Sequence, residues 1–384
     1  MQETKTIVIL GGSFSGVSIA HRILKQSAKT GSSVKIVLVS PNTHVYWSVA
    51  TPRALIPGQF ANDKLFQSIT EGFKQYSSKH FEFVRGTAQS LDPAARKVGV
   101  STSSGAQKTV EYDFLILATG SRNKDNDGGA IVPFKGLEST EATKAALQNI
   151  QAVVDKSKTI VISGAGPTGV ETAGELAYEY GAKKKIILLT SGRTVLTTTT
   201  PSVSKTALGM LKDLKVEVKL ETRVTTSTRT TRNGSDQVEL SLSDGSKLTA
   251  DLYIPTYGLV PNSSYIPGKY LNADGLVKVD EYFQVKGLEN QHVWAIGDIS
   301  DLESPQVLPA DRQSIHLAKN IALILSNKPP VPYKEGSRAL GLQIGKKTGT
   351  GHFGSFRIPG FIVTYLRKNL FVEQLGSMVN GSAY

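Results

Sequence analysis

The chain has 384 residues, no cysteine and a formal net charge of +12. Without cysteine there is no disulfide framework, no thiolate nucleophile and no C-x-x-C redox pair. The length predicts two domains, and 39% hydrophobic with 20% charged residues fits a globular protein. The basic excess suits anionic ligands, but the densest Lys run, residues 183–185, reads as a solvated helix end, so no dedicated nucleic-acid motif is present. The first strand begins within five residues and Gln2 stands where N-myristoylation requires glycine, so neither a cleavable leader nor that lipid anchor is expected. No apolar run approaches the ~18 residues of a spanning helix. An intracellular, cytoplasmic protein is expected.

In chain order, residues 6–20 read TIVILGGSFSGVSIA. An apolar strand runs into a turn of Gly11, Gly12, Ser13, Phe14, Ser15 and Gly16, and the apolar spacing predicts a helix over 15–27. VKIVLV at 34–39 is a second buried strand. A dinucleotide-binding fold usually ends it with Asp or Glu on a ribose hydroxyl. Here Ser40, Pro41 and Asn42 follow, and Asn42 is the side chain available to replace part of that bond. Residues 43–58 are aromatic and then proline-punctuated, a loop or short helix. Arg53 is the only cation in it and reads either as a surface residue or as a contact to a phosphate or flavin. Residues 81–92 read as a strand entering a turn, and 112–122 as a buried strand ending in Ala118-Thr119-Gly120. The polar, glycine-rich NKDNDGGA at 123–130 is a crossing into a second domain, and 136–156 is helical.

The stretch at 159–176, TIVISGAGPTGVETAGEL, repeats the opening pattern with a stricter G-x-G-x-x-G. Gly164 permits the tight turn, Gly166 removes a side chain where a pyrophosphate must approach, and Gly169 lets the helix lie close to its strand. Two such units mean two dinucleotides or one duplicated domain. The next strand, IILLT, is followed by Ser191, Gly192 and Arg193. With no acid there and an arginine present, a coenzyme 2′-phosphate is expected to be accepted. A hairpin-rich stretch spans 216–249, then DLYIPTYGLVPN spans 251–262. VWAIGD at 293–298 is a short buried strand ending in Gly297-Asp298, and 313–325 has helical spacing. The remainder is glycine-punctuated with strand-like apolar pieces. Among them PGFIVTYLRKNLFV, 359–372, sets Phe361, Ile362, Tyr365, Leu366 and Phe371 around Arg367-Lys368. It reads either as an interface packed on the first domain or as a weak, salt-sensitive contact to anionic lipid. The six histidines are scattered and no cysteine joins them, so no metal site is expected. There is no G-x-S-x-G elbow and no P-loop.

GGSFSG, ILATGS, SGAGPTGVE and AIGD stand in a fixed order. Together they resemble the two-dinucleotide-binding-domain flavoproteins of the pyridine nucleotide-disulfide oxidoreductase superfamily. The finer similarity, carried by VATPRALIPG, GVETAGELAYEYGAKKKIILLTSG and HLAKNI, is to the AIF-like quinone reductases of the ferroptosis-suppressor type, with type II NADH dehydrogenases as more distant relatives. The resemblance covers nearly the whole chain. It implies an α/β fold of two Rossmann-like domains, with an FAD domain at 1–125 and 263–328, an inserted NAD(P)H domain at 126–262 and a small α+β C-terminal interface region at 329–384.

The resemblance also implies FAD on the glycine turn at 11–16 and NADPH or NADH on the second turn. It puts Arg53 near the flavin, the backbone around Ala88 near the adenine, and Asp298 on the ribityl or pyrophosphate end. Glu171 would reach the nicotinamide amide as the catalytic residue. Thr119, Gly120, Gly258 and Gly297 join the cofactor-binding positions. A helix from about Pro309 would aim its N-terminus at the flavin pyrimidine. Two positions depart from the pattern: Ser13 replaces the middle glycine, and Ser40 replaces the ribose-binding acid. FAD affinity is expected to fall, and Ser40→Asp to restore it. The reading is an FAD-dependent NAD(P)H oxidoreductase, monomer or homodimer, passing hydride to a quinone-like acceptor, with peripheral contact to a membrane or lipid droplet through 359–372. The alternative is a non-catalytic nucleotide-binding scaffold with a basic partner or nucleic-acid surface.

Overall fold

A computed structural model describes residues 3–124, 129–232 and 235–384. Gln2 and the centre of the crossing at 123–130 lie outside the described residues.

The opening strand Lys5–Leu10 is buried from Ile7 onward because both its faces are covered. It lies inside a seven-stranded sheet. On one side it pairs in parallel with Val34–Ser40, which pairs with Phe81–Asp92. On the other it pairs with Phe114–Leu117, which pairs with Val293–Ala295. Lys97–Thr102 and Gln107–Glu111 extend the edge as an antiparallel meander. The strand order therefore reverses beside Lys5–Leu10, which opens a crevice at its carboxyl end. The helix Phe14–Thr30 follows that strand and packs against the long helix Val307–Leu325. This helix begins at Val307, two residues before the Pro309 start expected from the resemblance.

The second unit repeats the plan. Thr159–Ser163 sits between Lys185–Leu189 and Leu252–Pro255 in a four-stranded parallel sheet closed by Glu217–Lys219. The helix Pro167–Tyr180 covers one face. A three-stranded meander, Val224–Arg232, Ser235–Leu242 and Lys247–Ala250, packs on the other through Val238, Leu240 and Leu242. The linking helix Thr140–Lys156 is capped by Ser139, whose Oγ accepts the Ala142 N–H at 3.0 Å.

The last region is an antiparallel sheet of Ala339–Gln343, Gly349–Phe353 and Phe356–Ile358, followed by helices Gly360–Leu366 and Gln374–Val379. Residues 359–372 are thus helical turns rather than a strand-like piece. Pro359 occupies the N-cap, which suits a ring that cannot continue a ladder.

Candidate active site

The two glycine turns have nearly one geometry. Gly11 and Gly164 take φ of +114° and +106°, a region L side chains avoid. A Cβ on Gly16 would stand 1.7 Å from the Gly11 carbonyl oxygen, and one on Gly169 would stand 1.8 Å from that of Gly164. Each closing glycine is therefore required by its own turn. The middle position differs. A Cβ on Gly166 would meet no protein atom within 4 Å, which leaves a cradle at the helix N-terminus suited to a pyrophosphate. Ser13 holds the same place in the first turn, exposed, as the N-cap of its helix. Neither Ser13 nor Gly166 makes a side-chain cap, so the first-turn N–H groups remain available to an anion.

Around the first turn the chain assembles residues distant in sequence. Gly11 abuts the carbonyl of Ala118, at the start of the turn that holds Thr119 and Gly120. Thr119 donates through Oγ1 to the Asn262 carbonyl at 2.9 Å. Gly297 packs so closely on Ser15 that a Cβ would lie 2.5 Å from its Oγ, and its N–H donates to Gln313 Oε1 at 2.7 Å. Asp298 follows, with Oδ2 accepting from Ser121 Oγ at 2.9 Å and from Lys135 Nζ at 2.6 Å. Lys135 was not singled out from sequence. Phe14 stacks obliquely on Trp47, ring centroids 5.2 Å apart. Ala88 sits in Phe81–Asp92 beside a β-bulge, and Ser40 lies buried against Gly12.

Three of the expected site side chains hold protein partners that join the units. Arg53 is buried, and its Nε and Nη2 grip the two oxygens of the fully buried Glu175 at 2.9 and 2.7 Å. Its Nη2 also donates to Gln343 Oε1 at 3.1 Å. The guanidinium is not on the surface; Nε and Nη2 are committed to Glu175 and Gln343. It ties the first unit to the helix Pro167–Tyr180, because a buried carboxylate requires a paired cation. Asn42 donates from Nδ2 to the Leu137 carbonyl at 3.1 Å and accepts from Thr140 Oγ1 at 3.4 Å. It clips the start of the linking helix and the residues before it. Glu171 is buried one turn before Glu175; its Oε1 accepts from Arg367 Nη1 and from the Gln343 N–H. Burial lifts its carboxyl above the ordinary range, against the opposing charge of Arg367. Glu171 thus stands at the junction of the second helix and the C-terminal region, an attachment sequence reading did not supply.

In the second unit Arg193 is almost fully exposed, with Nε 3.4 Å from Glu221 Oε1. The Glu221 N–H donates to the Gly192 carbonyl at 3.0 Å. An acid is therefore present beside Arg193, correcting the expectation of none. It comes from the turn after the neighbouring strand. Gly258 adopts φ +77° and its carbonyl accepts from the Lys124 N–H at 2.8 Å. Among the described residues no group of three or more His, Cys, Asp or Glu could hold a metal ion, and no helix is long and apolar enough to cross a membrane.

The sequence profile described as pyridine nucleotide-disulphide oxidoreductase matches residues 5–320. Oxidoreductase ptaL of Pestalotiopsis fici is 51% identical over 380 residues, 98% of this chain and 99% of that protein. Human ferroptosis suppressor protein 1 is 27% identical over 378 residues, 96% and 94% of the two chains. The sulfide:quinone oxidoreductase of Aquifex aeolicus shares the fold at a TM-score of 0.78 and 17% identity, covering 98% and 92%. The two glycine turns fit the two cofactors of this family, FAD and a pyridine nucleotide. The chain belongs to the pyridine nucleotide-disulphide oxidoreductase family, as an AIF-like FAD- and NAD(P)H-dependent oxidoreductase.

Proposed function

We propose that the electrons leave for a small, apolar, quinone-like acceptor. The observation that carries this is the absence of cysteine from the chain. No dithiol can relay electrons to a disulfide, so the acceptor must be reduced at the flavin itself. When bound, FAD supplies the hydride-accepting centre between the nicotinamide and that acceptor. The chain's own residues hold and align the two nucleotides. The turn at 11–16 with Asp298 holds FAD, and the turn at 164–169 holds NAD(P)H. Glu171, fixed by Arg367, orients the nicotinamide end. Exposed Val307 and Leu308 at the start of Val307–Leu325 supply apolar surface where the resemblance puts the flavin pyrimidine. In this reading 1–125 and 263–328 form the FAD domain, 126–262 the NAD(P)H domain, and 329–384 the wall over Glu171. A panel of acceptors mixed with the NADPH-reduced protein in a stopped-flow instrument tests it. Rapid reoxidation by quinones and none by disulfides is expected; turnover with a disulfide would overturn it.

The C-terminal region also carries the membrane proposal. Phe356, Phe361 and Tyr365 are 79%, 74% and 81% exposed, with Phe353 and Leu366 at 58% each. Arg357 and Lys368 lie among them in sequence. Such a surface suits shallow insertion beside anionic headgroups. The exposed Phe353 and Phe356 extend the apolar segment beyond the 359–372 read from sequence. Flotation with anionic liposomes at low salt, lost at high salt, is the expected result.

A further inference from the structure

We propose that Arg85, with Ser40, anchors the adenosine ribose of FAD in place of the missing carboxylate, with the hydrogen-bond polarity reversed. This rests on FAD occupying the first glycine turn. Ser40 ends its strand with its Cβ and Oγ against Gly12 of that turn, so this strand end faces the cofactor crevice. Directly opposite it in the parallel register stands Arg85, on Phe81–Asp92. Paired residues of a parallel ladder share a face. Phe81 and Phe83 pack against the main core on that face, and Arg85 continues it.

Ser40 Oγ accepts the Asn42 N–H at 3.1 Å, which leaves its own O–H to donate. The Asn42 amide is committed to Leu137 and Thr140. Arg85 Nη2 donates to Glu141 Oε2 at 3.0 Å, a contact with the exposed first turn of the linking helix. Its Nε is buried and has no partner. Buried donors are normally satisfied, so an unpaired guanidinium N–H beside the crevice marks a place for a ligand acceptor. A carboxylate would accept from the ribose hydroxyls. Here the hydroxyl oxygens accept instead, from a serine and an arginine.

One consequence separates this arrangement from a simple lost acid. Aspartate placed at position 40 would stand beside Arg85 and pair with it rather than with the ribose, so Ser40→Asp alone would not tighten FAD. The test measures FAD and FMN dissociation constants by flavin fluorescence on deflavinated full-length protein. FMN lacks the adenosine and serves as the internal control. Arg85→Met is expected to weaken FAD at least tenfold and leave FMN within twofold, and Arg85→Lys to recover part of the loss. Glu141→Gln, which breaks the visible ion pair but keeps the arginine, should leave FAD within twofold. Ser40→Asp should change FAD less than twofold in the wild-type background and tighten it in the Arg85→Met background. Unchanged FAD affinity in Arg85→Met, or an equal loss for FMN, would overturn the proposal. A wild-type chain that takes up neither flavin would overturn the flavoprotein reading itself, and with it this one.

Discussion

The two nucleotide units share a backbone device and differ in what surrounds it. Both turns open with a glycine at strongly positive φ and close with one pressed against the first carbonyl. The strand ends differ. In the first unit Ser40 is 3% exposed, pressed against Gly12 of the turn. In the second the strand end is followed by Arg193, which meets Glu221; their side chains are 92% and 66% exposed. A buried end suits a resident cofactor, and an open end suits a coenzyme that must leave each turnover. The glycine spacing therefore identifies nucleotide binding, while the surroundings of the strand end are what separate the two units.

Breaking the joint between the units has the largest expected effect. Arg53→Met would leave the Glu175 carboxylate, 0% exposed, without its cation. Losing one partner of a buried pair costs about 3–5 kcal/mol. Urea unfolding should show this loss, with most of it recovered in Arg53→Met/Glu175→Leu. A cost below about 1 kcal/mol would mean that the pair does not hold the units together.

Acid separates the units next. The second unit has no histidine between residues 159 and 258. The first has His21, stacked on Phe73 at 3.8 Å. Its Nε2 must donate to the Val379 carbonyl at 2.8 Å, so Nδ1 accepts from Tyr76 Oη at 3.1 Å. Burial holds its pKa down to about 4, from 6.5. The unfolded chain therefore takes up this proton first as pH falls. The stabilisation is complete above about pH 6.5 and is lost progressively down to about pH 4, a total of about 3 kcal/mol. His21→Gln should flatten that part of the stability profile. An unchanged slope would contradict the assignment.

How much of this the sequence showed depends on the kind of interaction. The glycine turns and the buried strands around them were legible, because the turn chemistry and apolar runs are local. Arg53 with Glu175 and Arg367 with Glu171 were not, since the partners lie 122 and 196 positions apart and neither periodicity nor propensity relates them. Glu221 escaped notice for the same reason. It reaches Arg193 only because Glu217–Lys219 pairs in parallel with Lys185–Leu189. Residues 359–372 read as strand-like because Pro359 and Gly360 break a pattern, although Phe361, Ile362, Tyr365 and Leu366 already had helical spacing.

Glu221 gives the smallest predicted effect. Its charge beside Arg193 opposes a 2′-phosphate, an interaction of roughly 1 kcal/mol in a solvated setting. Glu221→Gln should raise the ratio of kcat/KM for NADPH over NADH about threefold to tenfold. An unchanged ratio would place the 2′-phosphate elsewhere.

Anaerobic titration of the purified holoprotein with NADPH, followed by a soluble quinone, tests the central claim most directly. The account predicts a visible flavin band that bleaches with one equivalent of NADPH per bound FAD and returns on addition of the quinone. Bound FAD that NADPH and NADH both leave oxidised would contradict it, since the two nucleotide sites would then not be joined in one redox centre.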